Sequence, residues 1–160
     1  MSFCSIQHSV RPSPLATVGV MAAATIDDRT RRVLVVDDEA GVLRFVDRVL
    51  REQGYETALA SGSAEALALL DSGASFDLLL TDLVMPGMCG DELARIAVQR
   101  MPALKVLYLT GFPERLSRIQ EGLWTNQAFI EKPVSVIRLR DATSELLFGH
   151  NRGPNPANQP

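Results

Sequence analysis

The chain's 160 residues suit one domain with short ends, and its 46% hydrophobic composition suffices for a packed interior, which excludes a disordered chain. A formal net charge of −3, with both signs scattered and no basic block, excludes direct contact with nucleic acid. Two cysteines, Cys4 and Cys89, make neither a disulfide framework nor a zinc site, and no apolar run reaches membrane-spanning length, so a reducing, cytoplasmic setting is expected.

Residues 1–30 show no sustained period and read as a flexible extension. Leu15 to Ala24 faintly resembles a secretory signal, but Gly19, Thr17 and the alanines leave it weakly hydrophobic, and translation from Met21 is the simpler expectation. Val33-Leu34-Val35-Val36 is too short for a helix and too apolar for a half-exposed strand, so it reads as a strand buried on both faces. Val42, Val46, Val49 and Leu50 follow at helical spacing, and Gly54 marks the stop. Tyr55 to Ala60 alternates as an edge strand does, and Ser63 to Asp71 is an alanine- and leucine-rich helix ending before Gly73. Leu78-Leu79-Leu80 leads a second buried strand into Thr81-Asp82. Asp91 to Arg100 predicts a helix with Leu93, Ile96 and Ala97 inward, and Pro102 lies beyond its end. Val106 to Leu109 forms a third buried strand closed by Thr110. A short polar helix is predicted over Glu114 to Gly122, a last strand over Ala128 to Glu131, and a final helix over Val134 to Leu147. Residues 149–160 hold three prolines, three asparagines and two glycines and read as a flexible tail, which leaves 31–148 as the folded domain.

Strands that each lead into a helix pair in parallel, because the crossovers are right-handed. The expected fold is therefore α/β, a doubly wound five-stranded parallel sheet with helices on both faces. In such sheets ligands gather outside the carboxyl ends of the strands. Standing there are Asp37 and Asp38 after the first strand, Asp82 at the third, Thr110 at the fourth and Lys132 after the fifth. Crowded carboxylates repel and need a positive partner. Mg²⁺ accepts one or two carboxylates together with phosphate oxygens, a lysine supplies a compact cation, and a threonine hydroxyl can donate to a phosphate oxygen. Phosphoryl transfer asks for positioning and charge neutralisation, which these groups provide.

Taken singly the residues are ordinary. Asp38 alone is a helix cap, Lys132 a surface lysine, Thr110-Gly111 a turn and Phe129 a core residue. Met85, Pro86 and Met88 read as packing around Asp82, with Gly87 and Gly90 supplying backbone freedom. Cys89 reads as a spacer.

Together, Val35-Val36-Asp37-Asp38-Glu39, Leu80 to Gly90, Leu109-Thr110-Gly111 and Phe129-Ile130-Glu131-Lys132-Pro133 resemble the response-regulator receiver signature in order and spacing. The resemblance spans about three-quarters of the chain. It implies a flavodoxin-like strand order of 2-1-3-4-5. It implies that Asp82 is the phospho-acceptor, that Mg²⁺ is bound by Asp38 directly, by Asp37 through water, by Asp82 and by the backbone carbonyl of Val84, and that Lys132 pairs with Asp82 and then with the phosphoryl oxygens. The Lys132-Pro133 bond matches one often cis in that family. Thr110 would move toward the phosphoryl group and Phe129, the switch aromatic, would turn inward, by packing alone since it has no phenol hydroxyl. The implied phosphodonor is a histidine kinase or a histidine phosphotransfer protein.

The residues after the final helix are too few for an output domain, so the chain is expected to relay the phosphoryl group or to dock, as a monomer or weak dimer, on an unidentified downstream protein. Gly111 would leave the phosphoryl group open to water, whereas Val84 and Phe112 would shield it. A receiver-fold adaptor that works without phosphorylation is the main alternative. An aspartyl-nucleophile phosphatase resembles a pattern with a second acid two residues after the nucleophile, and Val84 occupies that place. A flavin-binding relative would need a phosphate-cradling loop where Asp37-Asp38-Glu39 would repel the phosphate.

Overall fold

Short, wholly apolar runs of β-branched and leucine residues cannot hide both faces in a helix, and they pair here as the middle of a parallel sheet. The computed structural model describes residues 30–111 and 126–149. Five strands, β1 (Arg32–Val36), β2 (Glu56–Ala60), β3 (Leu78–Asp82), β4 (Lys105–Thr110) and β5 (Gln127–Glu131), are joined with helices α1 (Ala40–Glu52), α2 (Ser63–Asp71), α3 (Gly90–Arg100) and α4 (Val136–Phe148). The strand order is β2-β1-β3-β4-β5, all parallel, as the resemblance implied. The predicted helix over Glu114 to Gly122, Phe112, and the two terminal stretches lie outside the described residues.

The alternation of side chains along each strand divides the core into two layers. Val33 and Val35 of β1, Leu78 and Leu80 of β3, and Leu107 and Leu109 of β4 face α1 and α4, meeting Leu43, Val46, Val49, Leu50, Leu139 and Leu147. Leu34, Val36, Leu79, Val106 and Tyr108 face the other way, onto Ala66 and Leu70 of α2 and Leu93, Ala94 and Ala97 of α3. β3 is central and every one of its residues is buried, including Thr81 and Asp82. Truncating a leucine in this layer, Leu80→Ala for example, costs about 2–5 kcal/mol.

Two helix starts differ from the sequence expectation. α3 starts one residue early, at Gly90, and its buried face uses Ala94 in place of Ile96, which is half-buried. α4 starts at Val136, two residues late, because Ser135 caps it and accepts a hydrogen bond from the Arg138 N–H at 3.2 Å. Val134 is left in the loop, packed against the α1/α4 layer. At the other end of α1 the expected stop holds: Gly54 adopts φ +86°, a left-handed conformation that side chains disfavour. Among the described residues no helix is long and apolar enough to cross a membrane.

Candidate functional site

Parallel strands deliver all their carboxyl ends to one edge of the sheet, and backbone hydrogen bonds hold the loops leaving that edge. The Asp37 N–H donates to the Ala60 carbonyl at 3.2 Å, the Leu83 N–H to the Leu109 carbonyl at 3.2 Å, and the Lys132 N–H to the Thr110 carbonyl at 2.7 Å. Asp37, Asp82, Thr110 and Lys132 therefore start from fixed backbone positions. The Lys132-Pro133 peptide is cis.

Asp37 continues the alternation of β1 one step past the strand, so its side chain points to the α1 side and is fully buried. Its Oδ1 accepts the Glu39 N–H at 2.8 Å, and its Oδ2 accepts from Lys132 Nζ at 3.0 Å. Burial pushes the Asp37 carboxyl up from its ordinary range; the Glu39 N–H and the Lys132 ammonium oppose that push, and the charge of Asp82 adds to it. Asp82, the last residue of β3, accepts the Val84 N–H on Oδ1 at 3.2 Å and Lys132 Nζ on Oδ2 at 2.9 Å. Burial alone would lower the Lys132 ammonium, but hydrogen bonds and charge from Asp82 and Asp37 outweigh it and hold the group above the usual lysine range. The lysine therefore carries its charge at neutral pH.

A third carboxylate reaches the same ammonium. Glu39 Oε1 lies 3.3 Å from Lys132 Nζ. One oxygen each from Asp37, Glu39 and Asp82 falls within 4.8 Å of the others. Three carboxylates thus face one ammonium, an excess of two negative charges in a partly buried site. This oxygen-only donor set fits a hard divalent cation such as Mg²⁺, which prefers carboxylates and completes its shell with water or phosphate.

The acceptor's backbone is held as tightly as its side chain. Gly90 opens α3 directly against β3, and a methyl group built on it would lie 1.9 Å from the Asp82 carbonyl oxygen. The Gly90 N–H donates to the Leu83 carbonyl at 3.1 Å, and the Thr81 hydroxyl donates to the Asp82 carbonyl at 3.0 Å. Close approach, and not backbone freedom, is what requires a glycine at 90. Gly87, at φ +84°, is the position in this loop that needs the freedom.

The structure gathers Asp37, Asp82 and Lys132 and places Thr110 fully buried beside them at the end of β4. Asp38 is exposed beside this group and is not among the carboxylates whose oxygens meet within 4.8 Å. Glu39, quoted in the sequence only as part of the signature, stands in that group through its contact with Lys132. Phe129 is 41% exposed on β5, in register with the buried Tyr108. Met85 is buried and Met88 half-buried in the α2/α3 layer, and Cys89 is exposed with a free thiol.

Comparison with known proteins adds an independent line. Residues 33–144 match the family model of the response regulator receiver domain. The response regulator receiver protein CpdR of Brucella abortus is 34% identical over a stretch covering 72% of this chain and 93% of that protein. Sporulation initiation phosphotransferase F of Bacillus subtilis is 31% identical, covering 72% and 93% respectively. The structure of response regulator protein TrrA of Thermotoga maritima, solved in complex with Mg²⁺-BeF, superposes with a TM-score of 0.66 at 29% identity, covering 74% of this chain and 100% of that one.

Proposed function

The chain belongs to the response regulator receiver domain family of two-component phosphorelay signalling, and from that premise we propose that Asp82 is its phosphoryl acceptor. The observation that carries the proposal is the Lys132 ammonium, 2.9 Å from Asp82 and 3.0 Å from Asp37 at the carboxyl edge of the sheet. An Asp82 carboxylate oxygen attacks the phosphorus of a phosphohistidine on a histidine kinase or histidine phosphotransfer protein. The phosphorus–nitrogen bond breaks, the imidazole leaves and takes up a proton, and an acyl phosphate forms on Asp82. Lys132, already on Asp82, neutralises the arriving oxygens, and the Thr110 hydroxyl donates to one of them. Bound Mg²⁺ would neutralise charge on the transferring phosphoryl group, held by Asp37, Asp38, Asp82 and the Val84 carbonyl. Water attack on phosphorus returns the carboxylate and inorganic phosphate, so the chain is a signalling acceptor and not an enzyme of small phosphate esters.

The output follows from the same atoms. Thr110 moves toward the phosphoryl group, and Phe129, now 41% exposed, turns inward by packing, which changes the surface that a downstream protein reads. The chain acts as a monomer or weak dimer in the cytoplasm, where the exposed Cys89 thiol stays reduced. Incubation with acetyl phosphate or phosphoramidate and Mg²⁺, read by intact mass, tests the acceptor. A single phosphate-sized gain, lost with EDTA and lost in Asp82→Asn, is the expected result. A native chain that gains nothing overturns the proposal and leaves a phosphorylation-independent adaptor in its place.

A further inference from the structure

Glu39 holds the N-cap position of α1, yet its side chain makes no capping bond to the helix. A capping side chain accepts an N–H of the first turn. That of Glu39 turns instead to the Lys132 ammonium, 3.3 Å away. Its side chain is 64% exposed, against 0% for Asp37 and 9% for Asp82. The ammonium therefore has three carboxylate partners, two buried and one at the solvent mouth. Phosphoryl transfer changes the two buried ones, because Asp82 takes the phosphoryl group and Asp37 is drawn to the metal. Of the three, Glu39 alone is neither the phosphoryl acceptor nor among the metal ligands of the proposed function, so its charge stays available to the lysine.

We propose that Glu39 is a positioning residue for phosphoryl transfer, the third carboxylate that keeps the Lys132 ammonium over Asp82 while its other two partners are engaged. The inference rests on the reading of Asp82 as acceptor. Two consequences separate cleanly. Removing the Glu39 charge loosens the lysine and slows the transfer step. It also takes a negative charge away from the path of an anionic phosphodonor, which eases donor binding. Glu39 is largely exposed, so the first effect is modest, in the range of surface ion pairs, and weakens with added salt.

The test compares Glu39→Gln with the native full chain. Initial rates of phosphorylation are measured against acetyl phosphate concentration at saturating Mg²⁺, and proton exchange of the Lys132 ammonium is followed by ¹⁵N NMR without metal or donor. The maximal rate is expected to fall about threefold, with the half-saturating donor concentration unchanged or lower. Ammonium exchange quickens and the thermal midpoint holds, since no capping bond is lost. An unchanged maximal rate, or a fall carried only by a higher half-saturating concentration, overturns the proposal. If the native chain takes up no phosphoryl group, the acceptor reading fails by itself. The exchange measurement then decides on Glu39: exchange no faster in the variant overturns its hold on Lys132.

Discussion

The two edges of the sheet carry similar residues and use them differently. At the amino edge Asp77 meets Arg31 Nη1 at 3.0 Å and the Arg32 N–H at 2.9 Å, while Arg32 Nη1 donates to the Ser75 carbonyl at 3.2 Å. Both guanidinium groups also lie over aromatic rings, Arg31 over Phe148 at 5.8 Å and Arg32 over Phe76 at 5.3 Å. Lys105, at the start of β4, donates to the Leu146 carbonyl near the end of α4, where a cation complements the helix dipole. Each charge there ends on an opposite charge, a carbonyl or a ring, and the edge closes the fold. At the carboxyl edge three carboxylates share one lysine. At the structural edge the charges are spread over separate partners, whereas at the working edge three carboxylates compete for one lysine, which gives up stability to be ready for a cation and a phosphoryl group.

Substitutions sharpen this contrast. Among residues of the two edges the largest cost is expected at Gly90→Ala, where the new methyl must displace the Asp82 carbonyl 1.9 Å away; overpacking of this kind costs about 1–3 kcal/mol. Urea denaturation measures it, and phosphorylation should slow in the same variant because the acceptor's backbone moves. Asp77→Ala removes the carboxylate that receives both Arg31 and the Arg32 N–H, at a cost of about 1–3 kcal/mol. It should leave phosphorylation by a small donor untouched. A variant at the amino edge that is cheap would break the comparison.

Asp37→Asn should act in the opposite direction, stabilising the metal-free protein at neutral pH. Burial raises the folded-state pKa of Asp37 above its unfolded value, so the folded chain binds its proton more readily than the unfolded chain does. Its ionised form therefore costs stability at neutral pH, and that cost is relieved as pH falls through the folded pKa toward 3.8, the ordinary aspartate value. Denaturation in EDTA at several pH values should show the advantage of the asparagine variant shrinking over that acidic window. The smallest effect is expected at Arg100→Ala, whose exposed pair with Asp71 at 2.8 Å belongs to neither edge and is worth about 0.5 kcal/mol or less.

Most of the fold was legible because it is written in periodicity. Buried runs gave β1, β3 and β4, and the bounds of α2, Ser63 to Asp71, match those read from its composition. Where α4 begins was not legible, since Val134 continues an apolar pattern and only the Ser135 hydroxyl, seated on the Arg138 N–H, fixes the start. At the site, strand ends pointed to Asp37, Asp82, Thr110 and Lys132, and the structure puts them on one edge. The contact of Glu39 with Lys132 was not available from spacing, since it depends on a side chain at the N-cap of α1 reaching back to the end of β5. Gly90 looked like a flexible loop residue because its neighbour, the Asp82 carbonyl, is a tertiary contact.

Backbone amide shifts during addition of Mg²⁺, then of Mg²⁺ with beryllofluoride, test the central claim most directly. The account predicts changes concentrated at residues 37–39, 82–84, 110–111 and 132, with Arg31, Arg32, Asp77 and Lys105 still. Shifts centred on the Asp77 edge, or none at either edge, would contradict it.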